Sequence, residues 1–329
     1  MILNDTRVDN HHGCDRVMRA LEGQLTRIGC RVVATAPAHA DWRQRADVMG
    51  ALNNAHLIVV NGEGTIHHDR PAALTLLEAG HHGAARGIPT VLLNSGWEAN
   101  GPGAAGKVRD FTLVAVRDSR SKAELDRFGV TCSVVPDLSL YEAYSRHGGR
   151  NGVGFTDSVN RGAAAALERA RRECHGLPVP IQHRGGRGGM WRYFRSYIGA
   201  GDVVRPGSLG VMLRLRAQHF MHQVHSDEDL LDLIGSLDLL VSGRFHACTL
   251  SLLAGTPFVA AATTTAKIAT LIGDAGLSPW RATVSLTAAE ITEARRIGWE
   301  SREPAAIADF LADGRARTDA LFADIGRLL

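Results

Sequence analysis

The sequence predicts an α/β protein made of two doubly wound domains, and three observations support that prediction. The chain has 329 residues, which is too long for one ordinary core and suits two domains of about 150 residues each. The first half alternates short β-rich runs with helical stretches, the pattern of a parallel sheet with crossover helices. A polar, glycine-rich stretch at residues 145–152 precedes a second α/β series. We therefore place the N-terminal domain at residues 1–148 and the C-terminal domain at residues 149–329.

The first domain is predicted to contain six strands, at residues 1–4, 31–36, 56–61, 90–94, 112–117 and 131–135. Apolar residues at helical spacing predict a helix over residues 14–28, which Gly29 ends. Ser119 is expected to cap a helix over residues 122–128. Alternating strands and helices of this kind form a doubly wound domain.

The second domain is predicted to contain strands at residues 178–183, 238–242 and 257–262. Helices are expected at residues 227–237 and 247–254. Ser226 and the three acidic residues after it indicate a well-capped helix start, because they offer a cap and negative charge at the positive end of the helix dipole. After Leu286 the chain is expected to form terminal helices that pack back on the first domain.

Composition and charge are typical of a globular cytoplasmic protein. The net charge of +3 is mild and the basic residues are scattered, so a nucleic-acid partner is not required. Five cysteines without a CxxC pair indicate reduced thiols. No signal peptide is expected, and no apolar run approaches the roughly 20 residues that a membrane span needs. We expect at most a peripheral association with the inner face of a membrane.

The loop Asn61-Gly62-Glu63-Gly64-Thr65 follows an apolar strand and is the first candidate for chemistry. Ligands of doubly wound domains bind at the carboxyl ends of strands, and two such domains facing each other place a cleft there. The two glycines permit a tight turn and a close approach, while Glu63 projects as a general acid or base. A structural turn with a solvated Glu63 is the alternative. The motif is neither a P-loop nor GxGxxG, so no dinucleotide is assigned.

Asp137 is the second candidate carboxylate, because Pro136 ends a strand just before it. Two carboxylates from neighbouring strand ends can take the two catalytic roles of a glycosyl transfer, one as nucleophile and the other as acid or base. The alternative is that Asp137 caps or braces a turn.

The segment Ser242-Gly243-Arg244-Phe245-His246 is the third candidate, because it joins an apolar strand to an apolar helix. Helix N-termini attract anions. Arg244 offers a bidentate fork to a carboxylate or phosphate, and His246 can donate a hydrogen bond or move a proton. Hydrogen bonds from either residue to backbone groups are the structural alternative.

Five further residues extend the expected sites. Lys267 starts another helix and is a candidate anion contact, although an ordinary first-turn lysine explains it equally well. Gln182 and His183 open an arginine-rich stretch that is expected either to clamp acceptor or donor phosphates or to be a solvated, mobile loop. His11 and His12 follow the first strand and are candidate contacts to donor or acceptor. No HExxH or zinc-finger spacing occurs, so no metal is predicted.

A series of features in the second domain resembles the C-terminal signature of the polysaccharide pyruvyl transferase family. The series is a strand, the Ser-x-Arg-x-His motif, an apolar helix, a Gly-x-Pro turn and Lys267. The resemblance covers about residues 5–277 and is strongest over residues 230–273. It implies a GT-B-like pair of α/β domains. It also implies that Arg244 and His246, with Ser242 of the same motif, contact the carboxylate or phosphate of the donor.

The first-domain loop departs from that family, in which a run of glycines ends in an aspartate. The Asn61 to Thr65 loop and Pro136-Asp137 look more like relatives that transfer Kdo from CMP-Kdo with retention. That resemblance implies Asp137 as nucleophile and Glu63 as acid/base. The donor-binding residues are then Ser242, Arg244, His246, Lys267, Gln182 and His183. The acceptor is faced by the Asn61 to Thr65 loop together with His11 and His12.

The sequence thus predicts a glycan-modifying transferase without a cofactor, whose donor is a CMP-activated sugar acid or phosphoenolpyruvate. Transfer of a Kdo-like sugar acid to a surface polysaccharide is the first hypothesis. Formation of a pyruvyl ketal from phosphoenolpyruvate is the second, with His246 or Glu63 as proton donor to the enol carbon. A non-catalytic carbohydrate- or nucleotide-binding protein is the third.

Overall fold

Two parallel β-sheets organise the protein. The computed structural model describes residues 1–182, 224–261, 266–283 and 286–329. The chain divides into two compact units. Unit 1 comprises Met1–Asp9, Cys14–Glu142 and Phe310–Leu329, and unit 2 comprises Asn10–Gly13 and Ala143–Asp309. The predicted α/β class with parallel sheets is confirmed, whereas a facing, GT-B-like arrangement of two domains stays a prediction.

Unit 1 contains a six-stranded sheet in the order β2-β1-β3-β4-β5-β6. The strands are β1 Ile2–Asp5, β2 Thr35–Pro37, β3 Ile58–Asn61, β4 Thr90–Ser95, β5 Leu113–Val116 and β6 Ser133–Val134. The helices are α1 His12–Arg27, which belongs to unit 1 from Cys14 onward, α2 Ala46–Asn53, α3 Pro71–Ala84, α4 Pro102–Val108 and α5 Ser119–Asp126. The 3₁₀ turns are at Thr6–Asp9, Trp42–Gln44 and Leu138–Leu140.

The central strands of unit 1 are buried on both faces, which is why they are nearly continuous apolar runs. Ile58 and Val60 pack in one core cluster, and the intervening Val59 packs in another on the opposite face. The second cluster also contains Leu321 and Phe322 from the C-terminal helix. The last residues of the chain therefore complete the core of unit 1.

Unit 2 contains a five-stranded sheet in the order β11-β10-β9-β7-β8. The strands are β7 Val153–Ser158, β8 Leu177–Pro178, β9 Leu239–Gly243, β10 Phe258–Ala261 and β11 Ala282–Thr283. The helices, numbered through the described residues, are α6 Arg161–Glu173, α7 Asp227–Gly235, α8 Phe245–Ala254, α9 Lys267–Asp274 and α10 Ala288–Ile297, with a 3₁₀ turn at Pro279–Arg281. Helix α11, Glu303–Gly326, begins in unit 2 and belongs to unit 1 from Phe310 onward. None of the helices that the structure describes is long and apolar enough to cross a membrane.

Several element boundaries differ from those predicted. Asp118, not Ser119, caps α5, because its carboxylate accepts the backbone N–H of Ser121 at 2.7 Å. Helix α8 begins at Phe245, two residues before the predicted start. Ser226 caps α7 as predicted, in a reciprocal capping box with Asp229. The predicted strand at residues 178–183 is only Leu177–Pro178 within the described residues.

Three ladder irregularities lie near the carboxyl ends of strands β1, β4 and β7, each adding one residue to one strand. The extra residue in β1 is Asn4, with φ of 67°, and the irregular stretch of β4 contains Asn94, with φ of 54°. Asparagine is among the few non-glycine residues that adopt this left-handed conformation readily. Because a bulge re-aims the side chains that follow it, these strands end by presenting polar groups at one edge of each sheet.

Arg281 and Glu303 form an ion pair inside unit 2, with both side chains fully buried. The Nε of Arg281 donates to Oε1 of Glu303 at 2.7 Å, and an Nη group donates to the other carboxylate oxygen. The guanidinium lies 4.6 Å from the ring centre of Trp280 and 4.5 Å from that of Trp299. Burial raises the pKa of Glu303, but the hydrogen bonds from Arg281 and from backbone N–H groups outweigh it and hold that pKa below its ordinary value.

Replacing Glu303 with glutamine should lower the free energy of unfolding by about 3–5 kcal/mol, because Arg281 would stay buried without its counter-charge. Urea denaturation at pH 7 measures this difference. Arg296→Gln is the control, since its pair with Glu293 is exposed and its loss should leave the urea midpoint unchanged.

The same comparison has an expected pH dependence. A carboxylate with a lowered folded pKa contributes stability above its unfolded pKa, about 4.3, and loses that contribution as the pH falls through the folded value. The difference in free energy of unfolding between wild type and Glu303→Gln should therefore become smaller below about pH 4. A difference that stays constant down to pH 2 would contradict a lowered pKa for Glu303.

Candidate active site

Each sheet has a topological switch point, where consecutive connections leave in opposite directions. In unit 1 the chain runs from β1 to β2 on one side, and β3 lies on the other side of β1. In unit 2 it runs from β7 to β8 on one side, and β9 lies on the other side of β7. Ligands of open α/β sheets bind outside the carboxyl ends of the strands at such a point. Both loop motifs identified in the sequence lie there.

Glu63 lies at the switch point of unit 1 and is only 3% exposed. The hydroxyl of Thr6 donates to its Oε2 at 2.6 Å, and the thiol of Cys14 donates to its Oε1 at 3.2 Å. Asn61 Nδ2 lies 3.4 Å from Oε2. The solvated turn considered as an alternative is therefore not what the structure shows, because Glu63 is buried and accepts hydrogen bonds on both oxygens.

The thiol of Cys14 is tied to this carboxylate. Burial raises the pKa of Cys14 well above its ordinary value, and the neighbouring charge of Glu63 and the hydrogen bond to it raise that pKa further. The thiol therefore stays protonated at neutral pH and serves Glu63 as a hydrogen-bond donor.

A network of asparagines links the strand ends of unit 1. Asn4 Nδ2 donates to the carbonyls of Asn61 at 2.7 Å and of Glu63 at 3.2 Å. Asn94 Nδ2 donates to Asn61 Oδ1 at 3.4 Å, and Asn94 Oδ1 accepts the backbone N–H of Leu138 at 3.0 Å. The carboxyl ends of β1, β3 and β4 and the turn after β6 are thus held in one polar layer.

Asp137 lies at the far end of this layer and is 3% exposed. Its Oδ2 accepts from Arg117 at 3.2 Å, and its Oδ1 accepts the backbone N–H of Ser139 at 3.0 Å, which caps a 3₁₀ turn. The structure thus shows the capping contact that the sequence offered as the alternative. The role of nucleophile stays a prediction.

The remaining residues of the Asn61 to Thr65 loop fix its backbone. Thr65 donates to Asn4 Oδ1 at 3.1 Å. A Cβ on Gly62 would lie 2.4 Å from Cβ and 2.8 Å from Cα of Ser95, so strand β4 leaves no room for a side chain. Gly64 has φ of +70° but open space where a Cβ would be. The two glycines therefore serve different purposes, close approach at Gly62 and a left-handed turn at Gly64.

This difference predicts unequal effects of two otherwise identical substitutions. Gly64→Ala should cost about 1 kcal/mol, the strain of an alanine at positive φ. Gly62→Ala should cost more, roughly 2–4 kcal/mol, because Ser95 belongs to a buried central strand and cannot withdraw. Chemical denaturation of the two purified variants measures both values. Equal losses would show that the close approach of Gly62 to Ser95 is not a constraint.

Arg244 lies at the switch point of unit 2 and is paired with Asp157 at the end of β7. Its Nε and an Nη each donate to a different carboxylate oxygen, both at 2.6 Å. The two side chains are 13% and 7% exposed. This bidentate geometry fixes the plane of the guanidinium.

Ser242 holds the backbone of Arg244. Its hydroxyl accepts the N–H of Arg244 at 3.0 Å, lies 3.1 Å from the Arg244 carbonyl, and contacts the hydroxyl of Thr156 at 3.0 Å. The side chain is fully buried. These contacts orient Arg244, and direct donor binding by Ser242 stays a prediction.

His246 follows in the first turn of α8 and is 7% exposed. Its ring lies 5.2 Å, centre to centre, from that of His11. His11 and His12 were expected in the first domain, but both belong to unit 2. The reason is a backbone interaction, because His12 donates its N–H to the carbonyl of Ile181 and His11 forms an antiparallel bridge with Gln182.

The other predicted site residues are placed as follows. Lys267 is the first residue of α9 and is partly buried. Gln182 contacts the site through the bridge with His11. His12 is fully buried. His183 lies outside the described residues, and donor binding by it stays a prediction, as does the expectation that no metal is bound.

Asp157 and Gly13 belong to the site and were missed in the sequence. Asp157 lies near the carboxyl end of the buried strand β7, so the rule that pointed to Glu63 and Arg244 also applies to it. Gly13 carries no such signal. A Cβ on Gly13 would lie 2.3 Å from Cγ of His246, and only the folded chain reveals that approach.

Comparison with known proteins assigns the chain to a family. The family model described as polysaccharide pyruvyl transferase matches residues 11–264. The chain therefore belongs to the polysaccharide pyruvyl transferase family, and it is a transferase that modifies glycans. A search of curated proteins gave no significant match.

Solved structures with similar folds share little sequence with the chain. A UDP-N-acetylglucosamine 2-epimerase from Rickettsia bellii has a TM-score of 0.49 at 9% identity, covering 99% of this chain and 97% of that one. S. aureus MnaA, in a co-structure with UDP, has a TM-score of 0.47 at 10% identity, with 90% and 87% covered. An uncharacterised protein from Klebsiella pneumoniae has a TM-score of 0.43 at 9% identity, with 86% and 90% covered. Likeness at this level is too weak to assign a function.

Proposed function

We propose that the protein transfers the pyruvyl group of phosphoenolpyruvate to two hydroxyl groups of a polysaccharide, forming a ketal and releasing phosphate. The observation that carries this proposal is the Arg244–Asp157 pair beside His246 at the switch point of unit 2, in a chain whose family model is that of the pyruvyl transferases. The sequence favoured a CMP-Kdo donor, but the family supports phosphoenolpyruvate first.

Arg244 suits the donor because phosphoenolpyruvate carries a carboxylate and a phosphate on the same carbon. A guanidinium recognises either group through charge-assisted hydrogen bonds. Asp157 and Ser242 fix its plane and its backbone before any ligand binds, so little side-chain freedom remains to be lost on binding. In this proposal, Lys267 in the first turn of α9 supplies a second positive charge to the donor site.

The reaction requires one proton at the methylene carbon C3 of the donor. The first acceptor hydroxyl adds to C2 while C3 gains a proton and becomes a methyl group. The second hydroxyl then displaces phosphate from C2, so two hydroxyl protons are lost and phosphate leaves with the electron pair of its C–O bond. A histidine is suited to deliver the C3 proton near neutral pH, and we assign this to His246.

A retaining transfer of a CMP-activated sugar acid is the second candidate. The observation that favours it is the burial of Glu63 and Asp137 at the same edge of the unit 1 sheet, linked through Asn61 and Asn94. Two fixed carboxylates are what such a mechanism needs. The contacts of Asp137 with Arg117 and Ser139 would have to rearrange before it could attack a sugar.

Thermal unfolding of the full chain with each ligand separates the two donors. Phosphoenolpyruvate at 100 times its Kd should stabilise the native state by about 2.7 kcal/mol, whereas cytidine monophosphate should have no effect. Stabilisation by cytidine monophosphate alone would favour the sugar-acid donor. With an acceptor present, turnover in deuterated water should place one deuteron in the new methyl group, observed by NMR.

Arg244→Lys should raise the KM for phosphoenolpyruvate roughly 10- to 100-fold, because a lysine cannot make the bidentate contact with Asp157 and a charge-assisted hydrogen bond contributes about 1.5–3 kcal/mol. Steady-state release of phosphate measures this effect. Arg169→Lys, on the exposed face of α6, is the matched control and should change neither KM nor kcat. An unchanged KM for Arg244→Lys would remove Arg244 from the donor site.

A further inference from the structure

His11 is held by the start of helix α1 in a way that fixes its ring. The residue directly precedes the helix, and its Nδ1 accepts the backbone N–H of Gly13, the second helical residue, at 3.1 Å. This is the contact that the side chain of an N-cap residue makes. Histidine is not among the preferred N-cap residues, which are serine, threonine, aspartate and asparagine. An imidazole differs from those side chains in carrying a second nitrogen on the far side of the ring.

The contact with Gly13 also sets the tautomer of His11. Because Nδ1 accepts a hydrogen bond, it carries no proton, and in the neutral ring the proton lies on Nε2. A proton added to Nδ1 would face another N–H donor. The contact with the Gly13 N–H therefore favours the tautomer whose proton lies on Nε2.

Gly13 connects this cap to His246. A Cβ at position 13 would lie 2.4 Å from Cβ and 2.3 Å from Cγ of His246, so the histidine packs directly on the glycine backbone. The bridge between His11 and Gln182 anchors the same segment in unit 2. The two rings are thereby held 5.2 Å apart with an angle of 59° between their planes, and both residues are less than a tenth exposed.

We infer that His11 is a second histidine of the donor site, which donates its Nε2–H to an anionic oxygen of the donor while remaining neutral. This inference rests on the proposed function for the identity of the donor. It assigns different tasks to the two imidazoles, with His246 moving the proton and His11 holding the carboxylate or phosphate. A neutral His11 suits this division because two imidazolium ions at this separation would repel each other.

Two substitutions separate this role from that of a structural cap. An asparagine at position 11 places an acceptor near Nδ1 and retains the cap, but it has no group that reaches the position of Nε2. A glutamine places an amide N–H near Nε2 and loses the cap. We expect His11→Asn to keep the melting temperature and raise the Kd for inorganic phosphate and the KM for phosphoenolpyruvate about tenfold or more, which is about 1.4 kcal/mol.

His11→Gln should show the reverse, with a lowered melting temperature and a Kd for phosphate within about threefold of wild type, less than 1 kcal/mol. His147→Gln on the exposed surface of unit 2 is the control and should change neither quantity. Wild-type affinity for phosphate in His11→Asn would overturn the inference and leave His11 as a cap only.

The tautomer is tested without any turnover. Nitrogen-15 NMR of the histidine-labelled full chain, with the His11 signals assigned by their loss in His11→Asn, should show an unprotonated Nδ1 and a protonated Nε2. A protonated Nδ1 would overturn the inference even if the glutamine variant fails to fold. Failure of the proposed function would appear separately, as absent turnover of phosphoenolpyruvate by a wild-type protein whose phosphate binding still depends on His11.

Discussion

The constraint on which both candidate sites depend is that a buried polar group must find a hydrogen-bond partner. At the carboxyl edge of a parallel sheet the backbone ladder ends, so each strand end exposes polar groups that the ladder no longer pairs. In unit 1 the side chains of Asn4, Asn61 and Asn94 supply the missing partners. In unit 2 the hydroxyl of Ser242 and the pair of Arg244 with Asp157 do so. The groups that satisfy the strand ends are the same groups that shape the sites.

Backbone conformation and side-chain chemistry are coupled at these edges. Asn4 and Asn94 accept the left-handed conformation that an irregular ladder imposes, and their amides then bridge to the neighbouring strand. Alanine would be strained at the same φ and would leave the bridge unmade. Glu63 is oriented by this layer, since Asn4 holds its carbonyl and Asn61 contacts its carboxylate. The position of the acidic group is therefore a property of the sheet edge as a whole.

Features that depend on a local sequence pattern were predicted correctly. Features that depend on contacts between residues distant in the sequence were not. The apolar strand before Glu63 and the strand-to-helix junction at Arg244 are visible in a single chain segment, so both loops were found. The pairing of Arg244 with Asp157 joins residues 87 positions apart, and no local periodicity reports it. The assignment of His11 to unit 2 depends on a backbone bridge to Gln182. The helix boundary at Asp118 was missed because serine and aspartate cap equally well and stand side by side.

Strong hydrogen-bond geometry fixes the arginine of the unit 2 site. Asp157 offsets the charge of Arg244 through two short contacts, and a neutral His11 would add a donor without adding charge. Hydrogen-bond donors fixed in direction select an anion by the placement of its oxygens, whereas long-range attraction is screened by salt. Planar carboxylate and tetrahedral phosphate differ in that placement, so a guanidinium fixed in one plane can distinguish them. In the proposed function, Asp157 would thus contribute to donor selectivity, because it restricts the orientation of Arg244.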